Sequence, residues 1–223
     1  MADQKNLTLR VYARIKEMML NYDIVPGQRL VFVDLAKQLG VSRTPVNNAL
    51  CILAKEGYLD FVPNQGYSVH KLTREEAGAL YEVKEIFELG TIGKAIKKAD
   101  EKMIRRLQKK KDGYRAAVST RVSRRMFILD TDFHSAIVDM AGNPFFEERY
   151  RDLCQQIFLR FRTEHLEAGR LHEIVKEHDA LYEAVCIRDV QWAKELIRQH
   201  NAGAVENLFP IIFGEQDISE GIR

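Results

Sequence analysis

The chain has little of what would mark a disulfide-stapled, membrane-spanning or strongly polycationic protein. Its three cysteines, Cys51, Cys154 and Cys186, lie far apart in apolar helical patterns and have no CxxC spacing. That excludes a zinc ribbon and points to buried free thiols in a reducing compartment. No run approaches the length needed to span a bilayer, and the N-terminus lacks an apolar signal segment, so the expected location is the cytoplasm. There is no internal repeat and no low-complexity linker. A net charge of only +2 over 223 residues means that any electrostatic footprint for nucleic acid must be local. This length suits two domains, one small and one with a larger core.

What is present begins between Asp34 and Gly57, where two short amphipathic helices are hinged at Gly40-Val41-Ser42. Leu35, Ala36 and Leu39 recur at helical spacing, and Gly40 can take the left-handed conformation that ends a helix. Ser42 is the expected N-cap of the second helix, Pro45 is tolerated in its first turn, and Val46, Leu50 and Leu53 continue a buried stripe. The opposite face carries Arg43, Thr44, Asn47 and Asn48, side chains suited to phosphates and base edges. This is the layout of a DNA-reading helix-turn-helix. Tyr58 to Val62 and Tyr67 to His70 then alternate like two strands around the turn Pro63-Asn64-Gln65-Gly66, forming a wing. Ahead of the motif, Leu7, Val11, Ile15, Met18 and Tyr22 mark a first helix that stops before Pro26-Gly27. Residues 1–72 are therefore expected to be a winged-helix DNA-binding domain, with Ser42, Gln65 and Gly66 as further candidate DNA contacts.

From Thr73 onward the strand signal disappears, and apolar residues recur at helical spacing between short polar breaks. Residues 73–223 are expected to be all-helical, so the fold class is mainly α, a winged helix followed by a helical bundle. Thr73 with Glu76 is a capping-box start for a helix through Lys98, and Asp100 opens another through Leu107. Further helices are predicted over Ser123 to Met140, Pro144 to Arg162, Leu171 to Ile187 and Val190 to Leu208, with breaks at Gly142-Asn143, Gly169 and Asp189. The basic run from Arg105 to Arg125 reads as a solvated helix face, because acidic residues interleave nearby and no aromatic platform accompanies it.

Asp130 and His134 lie four apart on one helix and project from the same face. His178 and His200 each lie eleven residues from the turn at Asp189, so an antiparallel helix pair would bring them level. One carboxylate and three imidazoles would suit Zn²⁺, Ni²⁺, Mn²⁺ or Fe²⁺ and not Ca²⁺. The spacing equally allows Asp130 as a local cap or ion-pair partner and the histidines as ordinary rim residues. The His178-Asp179 doublet also admits a metal-dependent phosphohydrolase of HD type. Adjacent helical residues point about 100° apart, however, and Ala180, Leu181, Ala184 and Val185 make Asp179 read as a surface residue.

Two sets of residues carry a family resemblance. Pro26-Gly27, Leu35-Ala36, the stretch Leu39 to Val46, Ala49-Leu50, Glu56-Gly57 and Gly66 resemble the N-terminal domain of GntR-type bacterial transcription regulators. Asp130 to His134, Ala141-Gly142-Asn143-Pro144, Glu177-His178 with Ala184, and His200 are similar to the FCD-type effector domain of the FadR-like branch. The resemblance implies a homodimeric, ligand-responsive regulator, by family default a repressor, that binds a near-palindromic operator. It further implies a divalent ion at Asp130, His134, His178 and His200 that helps to bind a small carboxylate effector. Two departures bear on specificity. Asn47-Asn48 replaces the usual Arg-Glu or Arg-Asp, leaving Arg43 as the main guanine-reading candidate. Lys84 replaces the usual Arg before Glu85, and Lys cannot make Arg's planar two-pronged contact with a carboxylate. Lys84, Arg160 and Arg162 are the candidate effector contacts, while His165 and His172 match no ligand position. A helical domain that serves only for dimerisation is the remaining alternative.

Overall fold

The computed structural model describes residues 2–118, 124–160 and 168–214. Two compact units divide after Leu72, and Leu159 and Arg160 group with the first of them.

In the first unit, α1 (Ala2–Leu20) packs on α3 (Arg43–Lys55), and α2 (Phe32–Leu39) closes against α3. Val11, Ile15, Met19, Val46, Leu50 and Leu53 supply its core. Gly40 has φ +64°, and the N–H of Val41 returns 3.0 Å to the carbonyl of Ala36, which terminates α2 as expected. Ser42 does stand at the N-cap of α3 with extended backbone, yet its side chain makes no capping hydrogen bond. Tyr22 lies beyond the end of α1 at φ +63°, so it belongs to the turn and not to the helix. The wing strands β2 (Leu59–Val62) and β3 (Gly66–Val69) pair antiparallel with Leu59 opposite Val69. A two-residue strand, β1 (Arg29–Leu30), adds to β3 and gives the order β1-β3-β2. So short a strand has too few residues to show alternation, which is why its sequence is silent.

The second unit is helical among its described residues: α4 (Arg74–Lys98), α5 (Glu101–Ala117), α6 (Arg124–Met140), α7 (Pro144–Phe158), α8 (Ala168–Cys186) and α9 (Val190–Phe213). The capping box is complete, with Thr73 Oγ1 accepting from the Glu76 N–H at 3.1 Å and the Glu76 carboxylate accepting from the Thr73 N–H at 2.9 Å. Asp100 and Asp189 cap α5 and α9 through their side chains alone, accepting from the N–H of Met103 and from those of Gln191 and Trp192. Ile92, Leu107, Phe133, Leu181, Val185 and Ile197 lead the core. The turn between α8 and α9 is pinned by Arg188, which donates to the carbonyls of Ile96 and Ala99 at the end of α4. That anchor holds α8 and α9 in axial register with α4.

Several expected boundaries shift. Gly169 lies within the first turn of α8 and makes no break, α5 runs ten residues past Leu107, α7 stops at Phe158, and α9 continues through Pro210 to Phe213. The expected start at Ser123 falls outside the described residues. Among the cysteines only Cys154 is buried; Cys51 is half-buried beside the Tyr67 hydroxyl and Cys186 is exposed. The basic residues of α5 mostly face acids: Arg106 pairs with Asp139, Lys110 with Asp132, and Lys111 and Arg115 with Asp179.

Replacing Thr73 by Ala removes one half of the capping box and should lower unfolding free energy by about 1 kcal/mol. The check is the urea midpoint, and an unchanged midpoint would contradict the role given to this cap.

Candidate metal centre and nucleic-acid face

α6 presents Asp130 and His134 one turn apart, α8 presents His178, and α9 presents His200. One ligand atom from each lies within 4.8 Å of the others. His178 Nε2 is 3.1 Å, His200 Nε2 3.6 Å and His134 Nε2 3.9 Å from the same oxygen, Asp130 Oδ1. Phe133 stacks on His178 with ring centroids 4.2 Å apart, and Tyr114 meets that ring edge-on. All three histidines are buried.

The far nitrogens explain the orientation. His134 Nδ1 is 3.0 Å from Glu88 Oε1, and His200 Nδ1 is 2.7 Å from Glu177 Oε2. An Nδ1–H directed at a carboxylate fixes the tautomer and leaves the Nε2 lone pair turned inward, as metal-ligating histidines are usually held. Inward lone pairs then face a carboxylate oxygen, an arrangement that a proton or a cation must relieve. His134 Nε2 is a buried atom without a hydrogen-bond partner among the described residues. Burial pushes His178 below its ordinary value despite its bond to Asp130, and burial together with the neighbouring His134 does the same to His200. His178 and His200 therefore hold protons poorly, and the donor set fits a divalent transition metal.

Charge around the cluster is balanced with care. Burial alone would raise Glu88, but Lys84 and then His134 hold it well below the usual carboxylate range. Lys84 Nζ donates to Glu88 Oε1 and to Asn201 Oδ1, at 3.0 and 2.9 Å, and Asn201 and Tyr150 also donate to Glu88. Burial would likewise raise Asp130, but the surrounding imidazoles keep it low. Glu177 is held at about 2, where hydrogen bonds from His200 and Arg170 outweigh the burial that would raise it.

A cavity opens beside the cluster. Lys84, Asp130, Arg170 and His200 supply its polar lining, and Met126, Phe127, Leu171, Ile174 and Leu208 much of its apolar wall. Of the three candidate effector contacts, Lys84 lies in this lining. Arg160 does not; its guanidinium donates to the carbonyl of Gly57 at 3.0 Å. Arg162 and His165 lie outside the described residues, and His172 is exposed. Asp179 faces Lys111 and Arg115, away from the cluster, as its spacing from His178 requires. Sequence reading missed Glu88, Tyr150, Asn201 and Arg170, and took Glu177 only as part of a motif. The i,i+4 spacing of Lys84 and Glu88 and the i,i+7 spacing of Arg170 and Glu177 were the available signals.

In the other unit, Ser42, Arg43, Thr44, Asn47 and Asn48 are all exposed, whereas Pro45, Val46, Ala49 and Leu50 are buried. One face of α3 is thus free to enter a groove, and backbone N–H groups at its start accompany Arg43. Gln65 is exposed at the wing turn, where its carbonyl accepts from Arg29 Nε at 2.8 Å, and Gly66 takes φ +92°.

Residues 79–203 match the FCD domain family, and residues 7–69 match the bacterial regulatory proteins of the gntR family. The chain is a gntR-family regulator with an FCD domain. Its relatives include the HTH-type transcriptional regulator YdhC of Bacillus subtilis, 28% identical over 199 residues that cover 86% of each chain. The Nta operon transcriptional regulator of Aminobacter aminovorans is 30% identical over 145 residues, 63% of this chain and 66% of that one. The fold matches the solved structure of McbR/YncC of E. coli with a TM-score of 0.76 and 23% identity, covering 90% of this chain and 97% of that one. A GntR/FCD chain of this kind is a DNA-binding transcriptional regulator. No helix among its described residues is long and apolar enough to cross a membrane.

His178 and His200 bind protons more weakly in the folded chain than at their ordinary 6.5, so the unfolded chain takes up protons first as pH falls. Their contribution to the stability of chelated protein should be fully present above about pH 6.5 and be lost as pH falls through their depressed folded values. A further loss should follow at lower pH as Glu177, Asp130 and Glu88 become protonated. Urea denaturation at about pH 7.5 and about pH 5.5 tests the sign, and greater stability in acid would contradict it.

Proposed function

We propose that this protein is a cytoplasmic homodimeric regulator whose helical unit binds a small carboxylate effector beside a divalent metal, and whose winged helices read a near-palindromic operator. The observation that supports the metal most directly is the convergence of three buried Nε2 atoms on Asp130 Oδ1, with His134 and His200 locked from behind by Glu88 and Glu177. When bound, a Zn²⁺, Ni²⁺, Mn²⁺ or Fe²⁺ ion would supply a Lewis-acid contact for an effector oxygen. Asp130, His134, His178 and His200 would hold it. Lys84 offers a fixed positive charge on the cavity wall, and the apolar residues of the lining would cover the effector's carbon skeleton.

On the DNA side, Arg43 is assigned to a guanine edge, Asn47 and Asn48 to adenine edges or phosphates, and Ser42, Thr44, Gln65 and Gly66 to the backbone. Regulation requires the effector to bind the DNA-competent and incompetent arrangements with different affinity. Repression is the simplest consequence of occupying an operator. A phosphohydrolase reading draws no support from Asp179, which is committed to Lys111 and Arg115.

Protein purified without added metal should contain about one divalent ion per chain, and His134→Ala, His178→Ala and His200→Ala should each lose most of it. Elemental analysis decides; a wild type as empty as its variants would sink the metal centre. Arg43→Ala should lose about 1–3 kcal/mol of operator discrimination while fold and dimerisation persist. Operator affinity unchanged at fixed salt would remove Arg43 from the reading face.

A further inference from the structure

Arg170 stands on α8 at the edge of the cavity with its side chain only 12% exposed. Its two terminal nitrogens grip Glu177 in a fork, Nη1 to Oε1 at 2.5 Å and Nη2 to Oε2 at 3.1 Å. A weaker contact, 3.3 Å, joins Nη1 to Glu173. Its third donor group, Nε, is buried and has no hydrogen-bond partner among the described residues. A buried guanidinium edge left half satisfied beside a cavity is costly unless something enters to use it. Space for the group is made by Gly203 on α9, where a Cβ would lie 2.7 Å from Arg170 Nη2.

Glu177 is a peculiar partner for this arginine, because its Oε2 serves two donors at once, Arg170 Nη2 and His200 Nδ1. The carboxylate does not depend on Arg170 for its orientation. An external carboxylate could take the Nε and Nη edge of Arg170 in the same two-pronged geometry, while Glu177 keeps its bond to His200.

We propose that Arg170 is the carboxylate receptor of the cavity and that Glu177 is its internal placeholder, displaced from the guanidinium when an effector carboxylate enters. The proposal rests on the effector reading above and names the group that recognises the acid. It also accounts for Lys84: the point charge there is already committed to Glu88 and Asn201, so planar recognition falls to an arginine on a different helix. The ligand class is a small acid with an apolar body, since one carboxylate meets Arg170 and the rest meets Met126, Ile174 and Leu208. Exchange leaves Glu177 Oε2 to His200 alone, which ties anion entry to the orientation of one cluster imidazole.

The test uses the full chain, zinc-loaded and separately chelated, titrated calorimetrically with butyrate and with butyramide as its neutral counterpart. Wild type should bind butyrate and not butyramide. Glu177→Gln keeps an acceptor for His200 Nδ1 but removes the charge that competes for Arg170, so butyrate should bind about ten-fold tighter. Arg170→Lys keeps the charge without the fork and should bind at least about ten-fold weaker. A purely structural ion pair would make both variants weaker. Unchanged or weaker binding by a folded Glu177→Gln protein therefore overturns the proposal, as does butyrate binding to no form at all. If Glu177→Gln does not fold by circular dichroism, Gly203→Ala replaces it: crowding the guanidinium should weaken butyrate, and unchanged affinity overturns the proposal. Zinc content judges the metal centre separately. A wild type that takes up no zinc refutes that reading, while the chelated series still decides the exchange.

Discussion

The helical unit is organised around a single electrostatic demand: Asp130 Oδ1 faces three imidazoles, all of them buried in an apolar bundle. A carboxylate so placed must be compensated, and compensation spreads outward. His134 leans on Glu88, and a buried Glu88 is tolerable only because Lys84, Asn201 and Tyr150 also bond to it. His200 leans on Glu177, which accepts from Arg170 as well. Removing one member leaves the next uncompensated, so the network behaves as a unit.

That network also explains the architecture that carries it. Its members come from α4, α6, α7, α8 and α9; α4, α6, α8 and α9 share one apolar core, and α7 buries Leu153, Ile157 and Phe158. Rigid helices hold a ligand set to fractions of an ångström more readily than loops do. The anchor from Arg188 to the end of α4 and the Asp189 cap set the height of α8 and α9, and hence bring His178 level with His200. In the winged helix the physics is reversed. There the apolar stripe of α3 is buried, and its polar residues Arg43, Thr44, Asn47 and Asn48 stay exposed instead of being satisfied internally.

Much of this was legible in the residues. Gly40 ends α2, Thr73 and Glu76 make a capping box, and Asp100 opens α5, because each feature depends on contacts within a few residues. Asp130 with His134, and His178 with His200, came from helical periodicity and from equal distances to one turn. Less legible were the helix ends: Gly169 was absorbed into α8, and α9 ran through Pro210. At Pro210, burial of the preceding Leu208 and Phe209 overrides the local preference of one such residue. Arg160 was misjudged for a related reason. Proximity in sequence to the helical unit did not decide where its long side chain finds an acceptor.

The sequence by itself therefore determined the two-part class, the exposed polar face of α3 and, with the family resemblance added to helical spacing, the four side chains that cluster. Only the tertiary structure decided that Glu88 and Glu177 stand behind the imidazoles, that Lys84 is consumed in a buried network, and that Arg170 borders the cavity with one donor unused. The partners in Lys84–Asn201, Glu88–His134 and Glu177–His200 lie on different helices. Whether two such side chains meet depends on how far each helix is rotated and slid against the next, and that is set by the whole packed core at once.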